Sequence, residues 1–438
     1  MEIIIGFIMA FSLLLIGVIK GIFIGYPLIL SFLIFSIIYL RKGYNLKSLI
    51  QISWYGGKRS FVVLKIFVLI GLITATWMIS GTIPSIVYYS LKIMNPKYFI
   101  VFTFLTSSLV SYMLGTSIGT ASTIGVVLII MAKGGGIDLN LAGGAILSGC
   151  YVGDRMSPMS SCANLVSNLT EVKLYPMLKN FRKTTYLPLL IVSLVYLLFS
   201  FSNPLDMGES NMLNEISQSF HISFLVLIPA LIMLILSALQ VKVRKAMMVS
   251  ILSGMFIAIY IQNESMVTLI KVLLLGYKLE ANHPLVAILK GGGLFSMLKP
   301  SLVIFVSCAM AGVLEGLHIF DGISKLFYSV KDRKTLFLST GIVSFFTGAF
   351  GGNQSIALVM TNGIMNKVYE HLKVDKLSLA TDMSNTAVLF SPMIPWNIAN
   401  LTIATIIGVS PVKIVPYAFY LYIPFIINYI NYMRKGRI

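Results

Sequence analysis

Polar residues interrupt the apolar pattern of this sequence at two sets of matched positions. A glycine-containing break at Gly115–Thr120 is followed by the polar segment Asp154–Asn164, and a break at Gly348–Asn353 is followed by the polar segment Ser384–Asn397. Each polar segment contains the tripeptide Ser-Pro-Met, which begins 42 residues after the first glycine of the first break and 43 residues after that of the second. The matched intervals indicate a duplicated unit.

The residue types at these breaks suit the binding of a cation. Backbone that leaves helical geometry inside hydrocarbon is tolerated only where protein buries it or where it lines a wet cavity. Hydroxyl and amide oxygens are ligands that an alkali cation accepts in place of water. One break alone could be a kink or a loop, but two matched sets favour a binding cavity. The residues predicted to form the broken backbone are Gly115, Thr116, Gly119, Thr120, Gly351, Gly352 and Asn353, and those predicted to bind an ion or a substrate are Ser157, Ser160, Ser161, Asn164, Ser384, Asn385, Thr386 and Asn397.

The composition shows which elements must position these residues. Of the 438 residues, 57% are hydrophobic and 11% are charged, whereas about 25% of a typical soluble domain is charged. Runs such as Phe61–Ser80 approach the ~20 apolar residues that span a bilayer. The sequence therefore predicts an all-α polytopic membrane protein of about 10 to 12 segments, surrounded by lipid in the cytoplasmic membrane of a prokaryote. It excludes a soluble enzyme, a nucleic-acid-binding protein and a disordered scaffold.

The charges predict how the chain is oriented. The formal net charge is +18, and the basic residues lie in short loops between apolar runs, which is the positive-inside pattern. The basic segments Arg41–Ser60 and Glu171–Thr185 and the basic C-terminus are therefore expected on the cytoplasmic side. The segment Asn203–His221 contains acidic residues and no Lys or Arg, so it is expected on the opposite side.

The breaks and loops divide the chain into four parts. Residues 1–60 comprise the N-terminal spans and a basic cytoplasmic loop, and residues 61–202 form a first transporter repeat. Residues 203–246 comprise an outward acidic loop, a span and a basic loop, and residues 247–438 form a second repeat. Corresponding breaks in two halves are typical of transporters built from inverted repeats.

Six motifs carry a resemblance to a known family. They are Gly81-Thr-Ile-Pro84, Gly115-Thr-Ser-Ile-Gly-Thr120, Gly153-Asp-Arg-Met-Ser-Pro158, Gly352-Asn-Gln354, Ser391-Pro-Met-Ile-Pro-Trp-Asn397 and Pro416-Tyr-Ala-Phe419. They are spread over most of the chain, and together they resemble the NhaC-type sodium/proton antiporters of the wider ion-transporter superfamily. The resemblance implies an all-helical fold of two inverted repeats. Each repeat would have a re-entrant hairpin and a broken helix, with the tips meeting near the midplane.

The sequence departs from the family pattern at three acidic positions, which makes it a divergent member. Ser161 stands where the family has an acid after the first Ser-Pro, Asn353 replaces the acid of a Gly-Asp-Gln turn, and the usual acidic pair becomes Asp382-Met383. Conversely, Ser384-Asn-Thr386 is similar to the hairpin tip of sodium-coupled dicarboxylate carriers in the same superfamily. These resemblances imply a sodium ion at the hairpin tips. Its ligands would be Asn164, Ser384, Asn385 and Thr386.

Two carboxylates lie at the breaks and are predicted to couple the cation to the proton. Antiport needs a group that binds a cation or a proton but not both, and a carboxylate in a partly desolvated site has this property. Asp154 and Asp382 are the candidates. Asp154 could instead pair with Arg155 or lie at the cytoplasmic rim, and Asp382 could instead cap a turn.

The sequence thus predicts a secondary active transporter, not an enzyme, that exchanges Na+ for H+ by alternating access without a cofactor. The main alternative is a Na+-coupled carrier of a small organic anion or amino acid, which the replaced acids and the Ser-Asn-Thr tip favour. A channel fits less well, because matched breaks suit alternating access better than a continuous pore. Na+ and H+ are the expected partners, with an organic solute under the alternative, and a homodimer is a possible assembly.

The predicted orientation can be tested by cysteine accessibility in intact cells. In a variant without Cys150, Cys162 and Cys308, a membrane-impermeant thiol reagent is expected to modify a cysteine placed at Ser210. It should spare a cysteine placed at Ser48, because the charge bias puts that residue in the cytoplasm. The reverse labelling pattern would overturn the orientation.

Overall fold

The protein is almost entirely helical in the computed structural model, which describes residues 2–93, 95–205, 211–239, 241, 243–279, 290–317 and 323–433. The helices are α1 (Glu2–Ile19), α2 (Gly25–Arg41), α3 (Leu46–Lys58), α4 (Phe61–Ile79), α5 (Thr82–Ile93), α6 (Phe99–Leu114), α7 (Ser117–Thr120), α8 (Val126–Gly134), α9 (Leu139–Met156), α10 (Ser161–Thr170), α11 (Leu174–Lys183), α12 (Tyr186–Ser202), α13 (Asn211–Ser219), α14 (Ile228–Ala238), α15 (Val243–Tyr260), α16 (Met266–Leu275), α17 (Leu298–Gly316), α18 (Arg333–Gly351), α19 (Gln354–His371), α20 (Lys376–Asn385), α21 (Ala387–Phe390), α22 (Ile398–Ile407) and α23 (Ile423–Met433). Two short strands, β1 (Tyr277–Lys278) and β2 (Lys290–Gly291), pair antiparallel. The predicted all-α class is confirmed.

Several helices are long and apolar enough to cross a membrane. Within the described residues, three helical stretches satisfy this by length and composition, and up to six spans result if each of three bent helix pairs counts as one. Four apolar helices of 10–17 residues accompany them. The chain is therefore a polytopic membrane protein, and the figure of about 10 to 12 segments stays a prediction.

The first predicted break separates α6 from α7. Gly115 ends α6 with a φ of 65°, a left-handed conformation that glycine adopts without the steric cost of a Cβ atom. Thr116 is extended, and its side-chain oxygen accepts a hydrogen bond from the N–H of Gly119 at 3.3 Å. This cap starts α7, so Gly119 and Thr120 lie in the helical turn that follows the break.

The second half repeats this arrangement between α18 and α19. Gly351 is the last residue of α18, and Gly352 follows it with a φ of 62°. Asn353 is extended, and its Oδ1 accepts a hydrogen bond from the N–H of Ser355 at 2.8 Å. The two breaks therefore share a left-handed glycine followed by an extended capping residue.

A later break in each half also starts a new helix from an extended polar residue. The Oγ of Ser160 accepts hydrogen bonds from the N–H groups of Cys162 and Ala163 at the start of α10. In the second half, the Oδ1 of Asn397 accepts from the N–H of Ala399 at 3.0 Å, where α22 begins. Both helices are thus capped in the same way.

The chain just before α6 and the chain after α19 are each held by a contact with a distant segment. At the C-terminal end of α12, the N–H of Leu205 donates to the carbonyl oxygen of Pro96 at 3.1 Å, just before α6. Lys376, the first residue of α20, pairs with Glu171, which directly follows α10. The ammonium of Lys376 holds the pKa of Glu171 below its usual value. The inverted repeats and the four domain boundaries stay predictions.

Some predicted positions lie outside the described residues. They are the labelling position Ser210 and the basic C-terminal residues Arg434, Lys435 and Arg437. The labelling position Ser48 is partly buried near the start of α3, where its hydroxyl hydrogen-bonds the phenol of Tyr39.

Helix α9, which carries the first polar segment, packs closely against α6. A Cβ atom at Gly153 would lie 2.0 Å from the carbonyl carbon of Ser111 on α6. The hydroxyl of Ser111 donates a hydrogen bond to the carbonyl oxygen of Cys150 on α9. Only a residue without a side chain fits between the two backbones, so Gly153 fixes how closely α9 approaches the first hairpin.

We expect Gly153→Ala to force α6 and α9 apart and to lower the free energy of unfolding by about 1–3 kcal/mol, as overpacking does. Gly363→Ala is the matched control, because Gly363 lies within α19 with no atom within 4 Å of a new Cβ. The control should stabilise the helix by about 0.5–1 kcal/mol. Thermal unfolding in detergent measures both. Equal stability of Gly153→Ala and the parent would contradict the close approach of these helices.

Candidate functional site

A buried carboxylate near the end of α9 lies at the centre of a polar cluster. Asp154 is 3% exposed. Its Oδ2 lies 3.3 Å from the Oγ of Ser117 on α7, and its Oδ1 lies 3.1 Å from the Oγ of Ser160 in the following break. The thiol of Cys162 lies 3.7 Å from Oδ2. Each of these donors is neutral, and among the described residues no Lys, Arg or His approaches this carboxylate within 4.0 Å.

The second half of the chain reaches this cluster through Gln354, the first residue of α19. The thiol of Cys162 donates to the Oε1 of Gln354 at 3.1 Å, and the Nε2 of Gln354 donates to the carbonyl oxygen of Val388 on α21 at 2.9 Å. The cluster is therefore assembled from α7, α9, α10 and α19. Its members come from both predicted repeats.

The cluster offers oxygen ligands of the kind that a hard cation prefers. A carboxylate, two hydroxyls and an amide oxygen converge on one buried position, and hydroxyl oxygens can turn their lone pairs toward an ion. Within the described parts of the chain, no group of three or more His, Cys, Asp and Glu side chains is gathered as for a transition metal. The arrangement suits an alkali cation or a proton.

The guanidinium of Arg155 points away from Asp154, so the two do not form an ion pair. Arg155 is 1% exposed. Its five hydrogen bonds go to the side-chain oxygens of Thr184, Thr185, Tyr420, Ser384 and Asn385, at 2.6–3.4 Å. The alternative in which Arg155 neutralises Asp154 by direct contact therefore does not hold.

The family follows from a comparison with known sequences. The sequence pattern of the Na+/H+ antiporter family matches residues 149–432, which include Asp154, Gln354 and the polar segments of both halves. This chain belongs to the Na+/H+ antiporter family. It is accordingly a multi-pass transporter of the plasma membrane and not an enzyme, and the resemblance to NhaC-type antiporters is confirmed.

Individual relatives are similar over most of their length. The antiporter is 28% identical to the Na(+)/H(+) antiporter NhaC of Alkalihalophilus pseudofirmus over 444 aligned positions, which cover 97% of this chain and 96% of the relative. It is 29% identical to the Malate-2H(+)/Na(+)-lactate antiporter of Bacillus subtilis, covering 89% and 85%. It is 26% identical to the Arginine/ornithine antiporter ArcD of Halobacterium salinarum, covering 82% and 75%. Identities this low mark a divergent member of the family.

The second predicted coupling residue of the antiporter, Asp382, has a cationic partner. The Nη1 of Arg333, at the start of α18, lies 2.6 Å from the Oδ2 of Asp382, which is completely buried. The hydroxyls of Tyr369 and Tyr432 donate to the two carboxylate oxygens at 2.5 and 3.0 Å. Among the described residues, Asp382 shares no hydrogen-bond partner with Asp154, so the two carboxylates occupy separate environments.

The predicted neutral ligands are spread over several places. The Oγ of Ser157 accepts from the N–H of Met159 at 3.2 Å, the Nδ2 of Asn164 donates to the carbonyl oxygens of Pro158 and Ser160, and Ser161 is exposed. These contacts are all local and lie within the turn that the first polar segment forms. In the second half, the Nδ2 of Asn397 donates to the carbonyl oxygen of Gly348 at 2.7 Å.

The proposed sodium ligands at the second tip already have partners. The Oγ of Ser384 donates to the carbonyl oxygen of Thr381, and the Oγ of Thr386 donates to that of Asp382. The Oδ1 of Asn385 accepts a hydrogen bond from the cationic Arg155 at 2.6 Å. Asn164 shares no hydrogen bond with these three residues in the described structure. A sodium ion held jointly by the two tips stays a prediction.

Sequence analysis did not assign a role to Ser117, Cys162 or Gln354. Ser117 lies inside the motif Gly115–Thr120, and Gln354 directly follows the predicted break residue Asn353. A search for the first hydroxyl or amide after each break would have found both. No sequence signal indicated Cys162, since its thiol is placed beside the carboxylate only by the turn at Ser160.

The ion pair around Asp382 is expected to be structural. Asp382→Ala leaves the largely buried Arg333 without its partner, which typically costs about 3–5 kcal/mol. The double variant Arg333→Met/Asp382→Ala removes both charges and should lose less stability than the single variant. Thermal unfolding in detergent compares them. A single variant as stable as the double variant would contradict this role.

Proposed function

We propose that this antiporter exchanges Na+ for H+ at Asp154, where the two ions compete for one carboxylate. The observation that carries the proposal is that Asp154 is buried while all of its described hydrogen-bond donors are neutral. An ionised carboxylate in such a place is costly unless a cation accompanies it. Either a proton or a sodium ion supplies that positive charge, and the two ions do not bind to the carboxylate at the same time.

The residues around Asp154 supply the further ligands of the sodium ion. The hydroxyl oxygens of Ser117 and Ser160 lie beside its two carboxylate oxygens, and the amide oxygen of Gln354 faces the same cluster through Cys162. When the carboxyl group is protonated, the hydroxyls remain hydrogen-bonded to it. When sodium binds, the hydroxyls turn their oxygens to the ion.

The position of the site between the two halves supports coupled exchange. Ser117 belongs to the first hairpin and Gln354 to the second, so a relative movement of the halves changes which side of the membrane the site faces. With either a proton or a sodium ion bound, the site is electrically neutral. Without a bound cation, the carboxylate of Asp154 would remain charged and buried while the two halves move. The desolvation cost of that charge opposes reorientation without an ion.

Asp382 is less suited to this role, because Arg333 already supplies its positive charge. A sodium ion would have to displace a guanidinium that lies 2.6 Å from the carboxylate. We therefore assign the exchange to Asp154 and a structural role to Asp382. The proposal further includes that ion gradients drive the exchange without a bound cofactor, and that the protein forms a homodimer.

The test is Na+ affinity in the purified protein, measured by calorimetry at two pH values about two units apart, together with exchange in proteoliposomes. In the parent, each unit of acidification below the pH at which the carboxylate titrates should weaken apparent Na+ binding about tenfold, because protons compete for the site. Asp154→Asn removes the titratable group but keeps the volume. It should abolish exchange and the pH dependence of Na+ binding.

Two further variants serve as controls. Asp382→Asn should keep the pH dependence, since it leaves Asp154 untouched. Ser117→Ala should weaken Na+ binding at both pH values without removing the pH dependence, because one neutral ligand is lost. Retention of the pH dependence by Asp154→Asn, or its absence in the parent, refutes the proposal.

A further inference from the structure

We propose that Arg155 is a binding site for the carboxylate group of a small organic anion, separate from the cation site at Asp154. The observation behind it is a fully buried cation without an acidic partner. Among the described residues no carboxylate lies within 4.0 Å of the guanidinium, and buried arginines are rarely left unpaired in proteins. This proposal does not depend on proton exchange at Asp154.

The neutral contacts of Arg155 satisfy its N–H groups but not its charge. The five acceptors are four hydroxyl oxygens and one amide oxygen. Hydrogen bonds to a carboxylate are stronger than those to neutral oxygens, because they also neutralise the guanidinium. A small carboxylate that reaches Arg155 is therefore expected to displace some of these neutral acceptors.

Two adjacent threonines mark where the carboxylate would bind. The Oγ1 of Thr184 lies 2.7 Å from Nη2, and the Oγ1 of Thr185 lies 2.7 Å from Nη1. Two acceptors on the two terminal nitrogens are the arrangement that the oxygens of a bidentate carboxylate adopt with arginine. The hydroxyls thus occupy the two positions that a carboxylate would take. The side chains of Ser384 and Asn385 hold the guanidinium from the other half of the chain.

The surroundings of the two threonines favour an anion. They lie at the junction of α11 and α12, where the helix pair bends by 50°. Thr184 is only partly buried, and the neighbouring Arg182 and Lys183 are exposed. A basic entrance attracts anions and raises their local concentration. Thr184 is therefore the one described hydrogen-bond partner of Arg155 that is not fully buried.

The test measures binding of three probes, acetate, L-lactate and L-malate, to the purified protein as choline salts, with acetamide as a neutral isostere of acetate. Calorimetry and thermal unfolding in detergent are the readouts, at fixed Na+ and without Na+. We expect at least one carboxylate to bind saturably and to raise the melting temperature by mass action, while acetamide does neither. Absence of saturable binding by all three carboxylates overturns the proposal.

Three variants locate the binding site. Arg155→Lys keeps a charge but loses the planar fork, so carboxylate affinity should fall about tenfold or more. Thr184→Val removes one competing acceptor while leaving the guanidinium, so affinity should rise roughly two- to tenfold. Lys173→Gln, which removes an exposed cation at the opposite end of α11, should leave affinity within about a factor of two of the parent at physiological ionic strength, where exposed charges are screened.

The variants give opposite results if the carboxylate binds elsewhere. Unchanged affinity in Arg155→Lys, or loss of binding in Lys173→Gln, places the anion on the basic surface and overturns the proposal. If Arg155→Lys does not fold, Thr184→Val decides: tighter binding supports the site, and unchanged or weaker binding refutes it. Failure here leaves the pH dependence of Na+ binding at Asp154 unaffected, so the two proposals fail separately.

Discussion

The constraint on which the rest of this structure depends is the free-energy cost of burying charged side chains in a low-dielectric environment. Asp154 and Arg155 are consecutive residues of α9 and both are buried, yet they point to different surroundings and do not pair. Each is held by neutral polar groups that satisfy its hydrogen bonds and leave its charge uncompensated. The fold therefore buries two opposite charges without pairing them, close to the contact between its halves.

The broken helices are what make such surroundings available. A continuous helix uses its backbone groups internally, whereas a break frees helix ends and brings short polar side chains into the interior. The left-handed glycines at 115 and 352 end their helices in the same way, and an extended polar residue starts the next one in both halves. Ser117 and Gln354 then each stand two residues after the left-handed glycine, near the carboxylate of α9.

The sequence predicted the helical class and the positions of the breaks, because both rest on local chemistry. Glycine and capping residues specify a helix end within a few positions of where they stand. The sequence could not predict which side chains pair, since Asp382 contacts Arg333 across 49 residues of the chain and Arg155 contacts Asn385 across 230. These contacts arise from tertiary packing. For the same reason the sequence could not distinguish Asp154 from Asp382 as candidates for coupling.

Helix α12 connects two contacts at its ends: Thr184 and Thr185, which precede it, hold Arg155, and Leu205, which follows it, holds the chain before α6. Its 17 residues correspond to about 25 Å at 1.5 Å per residue, which is shorter than the ~30 Å hydrocarbon core of a typical bilayer. A thicker membrane would put α12 under tension between these two contacts, and a thinner one would relieve that tension. The acyl-chain length of the surrounding lipids thereby becomes a mechanical input to the geometry around Arg155.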